Sequence, residues 1–387
     1  MSMVGSMTKR TYKYRFYPTA EQASFLMRTF GCVRVVYNKA LEERTRAWAT
    51  ERKTLDYADT SALLTQWKRT EEYKWLSEVS SVPLQQTLRH LQKAFMGFWA
   101  KRTGYPKYKS RRASRHSAEY TASAFRWCNG ELTLAKMSDP LNIVWSRPLP
   151  EHAVPSTVTV SRDRAGRWHV CLLTATTVAP FPEARSAVGV DMGLRSFAVL
   201  STGEKIANPR HTCKESARLA RVRRDMARRQ KGSANHEKTR LKVARIEARI
   251  ADRRRDFLHN VSTRLIRENQ TVVIEDLPTA AMSAAGGRRK AGLNRGIRDA
   301  SWTEFRSMLE YKARWYGRNV VVIDRWFPST QLCSACGTAA GRMPLNVRFW
   351  TCKCGATHDR DINAARNILA AGLAVAVCGD GRSLAHA

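Results

Sequence analysis

The spacing of hydrophobic residues changes several times along the chain, and each change predicts a different element. Tyr12–Tyr17 alternates between polar and apolar residues as a strand does. Residues 25–48 repeat at helical spacing, behind a capping box that Thr19 and Gln22 can form. Further helix follows up to about residue 100. Residues 117–182 contain short apolar runs separated by Pro and Gly, which predicts a small barrel or sandwich.

The second half of the chain alternates strands and helices. Strands rich in β-branched residues end at Asp191 in AVGVDMG and at Glu275 in TVVIEDL, and Val320–Ile323 predicts another. Residues 214–268 predict two long helices around a break at Lys231-Gly232-Ser233, each with one apolar stripe. This order of elements predicts an α/β region.

Other segments give more local predictions. Residues 280–298 consist largely of Gly, Ala and basic residues, which predicts a mobile loop. Ser301 and Glu304 have the spacing of a capping box for the next helix. The last helix is predicted at Ile362–Leu373. We expect the first ten residues to be flexible and residues 375–387 to form a disordered tail.

Composition and charge restrict the classes of partner. The 387 residues are 43% hydrophobic, which suffices for two or three domains with cores of their own. Lys and Arg number 67 against 33 Asp and Glu, a net charge of +34, which predicts a polyanionic partner. No run approaches the roughly 18 apolar residues of a membrane-spanning helix. We therefore expect no membrane partner and a cytosolic, nucleoid-associated location.

Two basic regions are candidates for contact with nucleic acid. Residues 101–116 interleave Arg and Lys with Tyr105 and Tyr108, as single-stranded nucleic acid binders do, although a solvated linker would also be basic. In residues 214–256 Arg and Lys far outnumber Asp and Glu, so ion pairs within the helices cannot balance them. We interpret that surface as one that binds along the phosphate backbone of a nucleic acid.

Four of the nine cysteines form a cluster that predicts a metal site. Cys333-x2-Cys336 and Cys352-x-Cys354 supply two close pairs of thiolates, which suits tetrahedral zinc. An alternative replaces one thiolate with His358. Four protein ligands leave no position for water, so the zinc would be structural. The other five cysteines are scattered, which indicates free thiols in a reducing compartment.

Three carboxylates in different parts of the chain predict a second metal site. We expect Asp191, Glu275 and Asp361 to converge on Mg²⁺, because two-ion phosphodiester cleavage needs such a set. Each residue alone is weak support. Asp276 and Asp359 stand close by in the sequence and could take the same roles, and Asp361 could instead cap the last helix.

The motifs around these residues occur in a family-specific order. GVDMG is followed by IEDL and then by PSTQLCSACG and CKCGATHDRDINAARNIL, with YRFYPTAEQ, GCVRVVYNKAL and GYPKYKSRR upstream. Over nearly its whole length the chain thus resembles the TnpB family of transposon-encoded RNA-guided DNA nucleases, relatives of the type V CRISPR effectors. The spacing Cys352-x-Cys354 departs from the commoner pattern, which leaves the fourth zinc ligand open.

The resemblance implies a multidomain fold, α/β plus α+β. A wedge-type β-barrel domain (residues 1–17 and 117–182) would be interrupted by a helical recognition lobe (18–116). A RuvC-like nuclease of the RNase H fold (186–327 and 358–374) would follow, with a zinc-ribbon insertion (328–357). Asp191, Glu275 and Asp361 would be the catalytic carboxylates, and Cys333, Cys336, Cys352 and Cys354 the zinc ligands.

The resemblance also implies partners and an activity. A guide RNA from the transposon end would pair with double-stranded target DNA beside a short motif, and the protein would act as a monomer with its RNA. Metal-assisted hydrolysis would cut both strands. The alternatives are a compact type V CRISPR effector, a non-cutting RNA-guided repressor and a guide-independent resolvase. All three carboxylates are present, and the large basic N-terminal half exceeds what a resolvase needs.

Overall fold

The computed structural model describes residues 6–377 except 113, 285, 342 and 345. The chain forms two compact units, Met7–Thr177 and a second unit that begins at Val178. The sequence places the boundary a few residues later, at Pro180-Phe181-Pro182.

The first unit is a five-stranded sheet with three helices inserted after its first strand. Its elements are β1 (Ser6–Phe16), α1 (Ala20–Glu51), α2 (Tyr57–Trp67), α3 (Ser81–Trp99), β2 (His116–Thr121), β3 (Phe125–Cys128), β4 (Glu131–Leu134), β5 (Ile143–Val144), β6 (Pro155–Arg162) and β7 (Trp168–Val178). The sheet order is β2-β6-β7-β1-β5, and β3 and β4 form a separate hairpin. Helices and sheet share one core, which includes Tyr14, Tyr120, Leu26 and Leu84.

The second unit contains a five-stranded sheet with helices packed against it. Its elements are β8 (Ala187–Met192), β9 (Ser196–Leu200), β10 (Lys205–Ala207), α4 (His211–Ala227), α5 (Ala234–Glu268), β11 (Thr271–Glu275), α6 (Thr279–Met282), α7 (Gly287–Ala300), α8 (Trp302–Tyr316), β12 (Asn319–Ile323), β13 (Phe349–Thr351), β14 (Thr357–Asp359) and α9 (Arg360–Val377). The sheet order is β10-β9-β8-β11-β12. Strands β8 to β10 pair antiparallel, whereas β8, β11 and β12 run parallel.

Most of the predicted elements exist, and several boundaries have clear physical causes. The capping box of α1 is confirmed, because the Thr19 side chain accepts from the Gln22 N–H while the Gln22 side chain accepts from the Thr19 N–H. The break between α4 and α5 lies where predicted, and Gly232 adopts a φ of 93° there.

Four predictions are wrong. Residues 280–298 are not a loop but most of α6 and α7, since Ile297 and Ala300 bury one face of α7. The capping box at Ser301 is absent: with φ at 52°, Ser301 ends α7 and its hydroxyl donates to the Arg298 carbonyl. Residues 6–10 belong to β1, and α9 extends through Val377. The rest of these two predictions falls on residues 1–5 and 378–387, which lie outside the described residues.

Among the described residues, no helix combines the length and the apolar character that crossing a membrane requires.

Candidate metal sites

Asp191 and Glu275 lie on neighbouring parallel strands. In the register of β8 and β11, Val190 stands opposite Ile274. Asp191 and Glu275, the next residues along the two strands, are therefore neighbours across the pair. The carboxyl ends of parallel strands meet at one edge of a sheet. This edge therefore collects the two acidic side chains, as the sequence predicts.

The electrostatics of Asp191 place the third carboxylate near the first two. Burial, together with the negative charges of Glu275 and Asp361, raises the pKa of Asp191 to about 7. Burial also raises the pKa of Glu275, although a hydrogen bond from Ser329 opposes that rise. Like charges that disfavour one another's ionisation are the arrangement that a bound cation relieves.

The beginning of α9 distinguishes Asp359 from Asp361. Asp359 Oδ1 accepts from the N–H groups of Asp361 at 3.0 Å and Ile362 at 3.1 Å, and its Oδ2 lies 2.6 Å from Lys205 Nζ. Despite partial burial, these hydrogen bonds hold the pKa of Asp359 below its ordinary value. Asp359, rather than Asp361, is thus the capping residue. Asp361 accepts from Arg348 Nη1 at 3.3 Å.

A similar distinction separates Glu275 from Asp276. Asp276 accepts from Arg306 Nη1 at 2.7 Å and also from Arg325, and the two arginines hold its pKa below the ordinary value despite desolvation. Glu275 instead accepts one hydrogen bond, from Ser329 Oγ to Oε1 at 2.5 Å. Arginines neutralise Asp276, whereas no arginine of the described residues donates a hydrogen bond to Glu275.

Two glycines allow α9 to lie directly on the sheet. A Cβ on Gly189 would stand 2.1 Å from the Ala365 carbonyl oxygen, and a Cβ on Gly372 would stand 2.3 Å from Val273 Cγ1. Any side chain at Gly189 would therefore push the helix away from β8. This close approach brings the first turn of α9, with Asp361, to the sheet edge that carries Asp191.

The three carboxylates are more loosely grouped than the cysteines. Within the described residues, only the four thiols form a set of candidate ligand atoms that all lie within 4.8 Å of one another. A two-ion site does not need such compactness, because its ions stand roughly 3.5–4 Å apart.

The cysteine cluster has the dimensions of a tetrahedral zinc site. Cys333 Sγ lies 3.8 Å from Cys354 Sγ, and Cys336 Sγ lies 3.7 Å from Cys352 Sγ. A tetrahedron with Zn–S bonds of about 2.3 Å has edges of roughly 3.8 Å. The four thiolates therefore fit zinc. The described scattered cysteines, Cys32, Cys128, Cys171 and Cys213, are free thiols.

His358 lies beside this cluster rather than in it. Its Nε2 is 3.0 Å from Cys333 Sγ, and the side chain is buried. A ring N–H at that distance can donate to a thiolate, as outer-shell groups of metal sites do. The structure thus favours four cysteines over the alternative in which His358 replaces one of them.

Several residues of the site were missed by sequence reasoning. Ser329 and Arg348 contact the carboxylates, and Lys205 holds the capping Asp359. Ser329 stands in the motif PSTQLC just before the first cysteine, and that position was its only signal. Arg348 and Lys205 stand among many other basic residues, so nothing in the sequence singles them out.

The two basic regions differ in the structure. Around α4 and α5 most Arg and Lys side chains are exposed, while Leu219, Val243 and Ile246 pack between the helices. In the loop 101–116, Tyr105 packs edge-on against Phe95 and Phe98, so its ring is part of an aromatic cluster. Tyr108 is 60% exposed and remains available for stacking.

Three family profiles match parts of the chain. Residues 162–285 match one described as "Probable transposase", and residues 302–368 match "Cas12f1-like, TNB domain". Residues 6–53 match "Helix-turn-helix domain", although the structure has β1 and the single long helix α1 there. The second match covers the cysteine cluster and Asp361.

Curated relatives match nearly the whole chain. A protein of Streptomyces pristinaespiralis, "Putative RNA-guided DNA endonuclease", is 65% identical over 373 residues, which are 96% of this chain and 92% of its own. An Escherichia coli K12 protein of the same name with the suffix InsQ is 34% identical over 389 residues, 96% and 94% of the two chains.

Solved structures share the fold at low identity. The structure titled "Cryo-EM structure of the Cas12f1-sgRNA-target DNA complex" matches 94% of this chain and 98% of its own with a TM-score of 0.58 and 13% identity. The mini-RNA-guided endonuclease CRISPR-Cas_phi3 matches 96% and 93% with a TM-score of 0.51 and 9% identity. These likenesses show a multidomain α/β fold of the same kind.

Proposed function

The chain belongs to the TnpB family of transposon-encoded RNA-guided DNA endonucleases, and we propose that it cuts double-stranded DNA at a site formed by Asp191, Glu275 and Asp361. The observation that carries this proposal is the grouping of three carboxylates at one end of the second sheet, where burial and then the charges of Glu275 and Asp361 raise the pKa of Asp191 to about 7. Such a site attracts divalent cations, and Mg²⁺ prefers carboxylate oxygens.

The three carboxylates would hold two Mg²⁺ ions against one phosphate of the target. When bound, two such ions activate a water molecule and stabilise the leaving 3′-oxygen. Asp191 must lose its proton to act as a ligand, and the Ser329 hydroxyl helps to keep Glu275 ionised. Asp359 and Lys205 hold the first turn of α9 so that Asp361 faces the same edge.

The surroundings of the site suit a single DNA strand. Trp326 follows β12 and is 84% exposed, and Phe349 is 69% exposed beside Arg348. Both rings could stack on bases near the cut, since aromatic faces accept any base. The zinc held by Cys333, Cys336, Cys352 and Cys354 would be structural, because four protein ligands leave no open position.

We assign the rest of the chain by the family resemblance. Residues 1–17 and 117–182 would form the wedge-type barrel, 18–116 the recognition lobe, 186–327 with 358–374 the RuvC-like nuclease, and 328–357 the zinc ribbon. The sheet order β10-β9-β8-β11-β12, with β8, β11 and β12 parallel, supports the nuclease assignment. Guide RNA would follow the basic surface of α4 and α5.

A reprogrammed guide tests the function. The protein is expressed with its flanking element, and the RNA that co-purifies is sequenced. We expect one dominant RNA that ends in a variable guide segment. Replacing that segment should redirect cleavage of a supercoiled plasmid in Mg²⁺ to the new matching sequence.

The outcomes separate the alternatives. Binding of the matched plasmid without any cut would indicate a repressor, and cutting that ignores the guide would indicate a resolvase. Recovery of random cellular RNA would contradict guided action. RNA processed from a repeat array would place the protein with CRISPR effectors.

A further inference from the structure

We propose that Ser329 is the positioning residue for Glu275. We further propose that Asn367 couples the placement of Ser329 to the folded turn around Cys333 and Cys336, residues 332–337, which we call the knuckle. The proposal rests on the proposed function, because it concerns the same metal site. It begins from the hydrogen bond between Ser329 Oγ and Glu275 Oε1 at 2.5 Å. Ser329 itself is 5% exposed, so the hydroxyl cannot turn freely to water.

This hydrogen bond selects one orientation of the carboxylate. A hydroxyl donates a single hydrogen, which here occupies one lone pair of Oε1 and leaves Oε2 for a cation. Outer-shell donors of this kind fix the direction of a ligating carboxylate, and removing one costs about 10- to 100-fold in metal affinity. Ser329 would not touch the substrate or the metal.

The main chain of Ser329 is held from α9. Asn367 Nδ2 donates to the Ser329 carbonyl at 2.8 Å and to the Leu332 carbonyl at 2.7 Å. One buried amide thus joins the residue that orients Glu275 to the residue that precedes Cys333.

One helical turn earlier, Asn363 holds the knuckle from the same face of α9. Its Nδ2 donates to the Leu332 carbonyl at 2.7 Å, and its Oδ1 accepts from the Ser334 N–H at 2.8 Å. These contacts lie on both sides of Cys333. Residues four apart share a face of a helix, so Asn363 and Asn367 form one contact surface.

A chain of hydrogen bonds therefore connects the knuckle to the Glu275 carboxylate. It runs from the neighbours of Cys333 through Asn363 and Asn367 to Ser329. Asn is suited to this place because its short side chain offers two donors and one acceptor. A knuckle that loosens would release Leu332, and Asn367 would no longer fix Ser329. Glu275 would then keep its charge but lose its fixed orientation.

The test measures how much Mg²⁺ the reaction needs. Cleavage rates of the protein–RNA complex are recorded against Mg²⁺ concentration for wild type, Ser329→Ala, Ser329→Thr and Asn367→Ala. We expect Ser329→Ala to raise the half-saturating Mg²⁺ concentration about 10- to 100-fold while the rate at saturation changes much less. Ser329→Thr keeps the hydroxyl and should stay near wild type.

A second readout does not depend on cleavage of DNA. Fe²⁺ with ascorbate and peroxide cuts a polypeptide next to the bound ion, so fragments ending near residues 191 and 275 report occupancy of the site. Ser329→Ala and Asn367→Ala should both need more Fe²⁺ to give these fragments. Asn363→Ala removes contacts with the knuckle but none with Ser329, so it should raise the Fe²⁺ requirement less than Asn367→Ala does.

The results that overturn the proposal are distinct from those that overturn the function. An unchanged metal requirement in Ser329→Ala, a loss of rate at every Mg²⁺ concentration without a shift, or a defect in Ser329→Thr equal to that of Ser329→Ala would each contradict a positioning role. Wild-type requirement in Asn367→Ala would contradict the link to the knuckle. Absence of cleavage by wild type would instead contradict the proposed function, while the Fe²⁺ fragments would still test Ser329.

Discussion

Asp191 carries a charge that the fold disfavours. Its pKa of about 7 compares with roughly 3.9 in an unfolded chain. The protonated form is therefore favoured in the folded state, and this contribution to stability is lost as pH rises from about 4 through about 7. At pH 8 without divalent metal, the ionised Asp191 faces Glu275 and Asp361 and destabilises the protein.

Removing that charge should stabilise the metal-free protein. Asp191→Asn resembles the protonated carboxyl, so in Mg²⁺-free buffer at pH 8 its Tm should exceed that of wild type by several degrees. The difference should vanish near pH 4. Mg²⁺ should raise the Tm of wild type but hardly that of the variant, because a ligand is missing. Thermal unfolding at the two pH values checks this, and equal Tm at pH 8 would contradict the inferred cluster of charges.

The sequence alone does not decide which member of each acidic pair is the metal ligand. Asp276 beside Glu275 and Asp359 near Asp361 have equal claims as ligands in the sequence. Their roles are decided by partners that are distant in the chain, Arg306 and Arg325 for Asp276 and Lys205 for Asp359. Long-range contacts of this kind leave no local pattern, so only the folded structure separates the members of each pair.

The contact between α9 and β8 sets the geometry of the site at the level of elements. Gly189→Ala should force the helix away from the strand, since the new Cβ would meet main-chain atoms of Ala365 and Leu369 that cannot rotate aside. We expect the free energy of unfolding to fall by about 1–3 kcal/mol. Cleavage should fall sharply, while RNA binding, which we propose follows the basic surface of α4 and α5, should stay close to wild type.

Gly31→Ala in α1 is the matched control. A Cβ there meets nothing within 4 Å, so alanine should be neutral or stabilise the helix by up to about 1 kcal/mol. Denaturant unfolding and plasmid cleavage of both variants provide the comparison. If Gly189→Ala behaves like Gly31→Ala in both assays, the close packing of α9 does not position Asp361.

The four-cysteine cluster is the second feature of the elements that supports the site. Cys336→Ser should release the metal, because a structural zinc site contributes directly to folding of its own segment. Zinc content measured by mass spectrometry should fall by about one ion per chain relative to wild type, and cleavage should be lost. Cys213→Ser, at an exposed cysteine outside the cluster, should keep full zinc. Full zinc content in Cys336→Ser would show that Cys336 is not a ligand.

Element prediction from the sequence succeeded where periodicity was strong and failed where it was weak. Helices α4 and α5 have continuous apolar stripes, and the predicted break ends at Ser233, the N-cap of α5, although α4 already ends at Ala227. Helix α7 was missed because glycine and arginine dominate its sequence, and only a few buried positions such as Ile297 hold it. Ser301 matched a capping pattern locally, but the end of α7 imposes a left-handed conformation there.

For the whole molecule, charge and motif order were the more informative signals. The excess of basic residues predicted a nucleic-acid partner, and the order of the motifs identified the family that the relatives confirm. The strand order could not be read from the sequence, because pairing between β8 and β11 joins residues about eighty positions apart. The domain boundaries and the path of the guide RNA remain predictions.

Binding of nucleic acid and cutting of DNA would depend on different residues. Binding of the guide and target would depend on many dispersed basic contacts and on base pairs, whereas cutting would depend on three carboxylates. Loss of one carboxylate should therefore separate the two activities. Asp276→Asn and Asp359→Asn are matched controls, since Asn keeps much of the local hydrogen bonding and can still cap α9.

The most direct measurement compares guided binding and cutting in Asp191→Asn, Glu275→Gln and Asp361→Asn with those of the two controls. Each complex is incubated with matched target DNA in Mg²⁺ and assayed by gel shift and by mapping of cut ends. We predict that the three variants bind target as wild type does but yield no cut ends, while Asp276→Asn and Asp359→Asn retain measurable cleavage. Cleavage that survives in the three variants would contradict the proposed site.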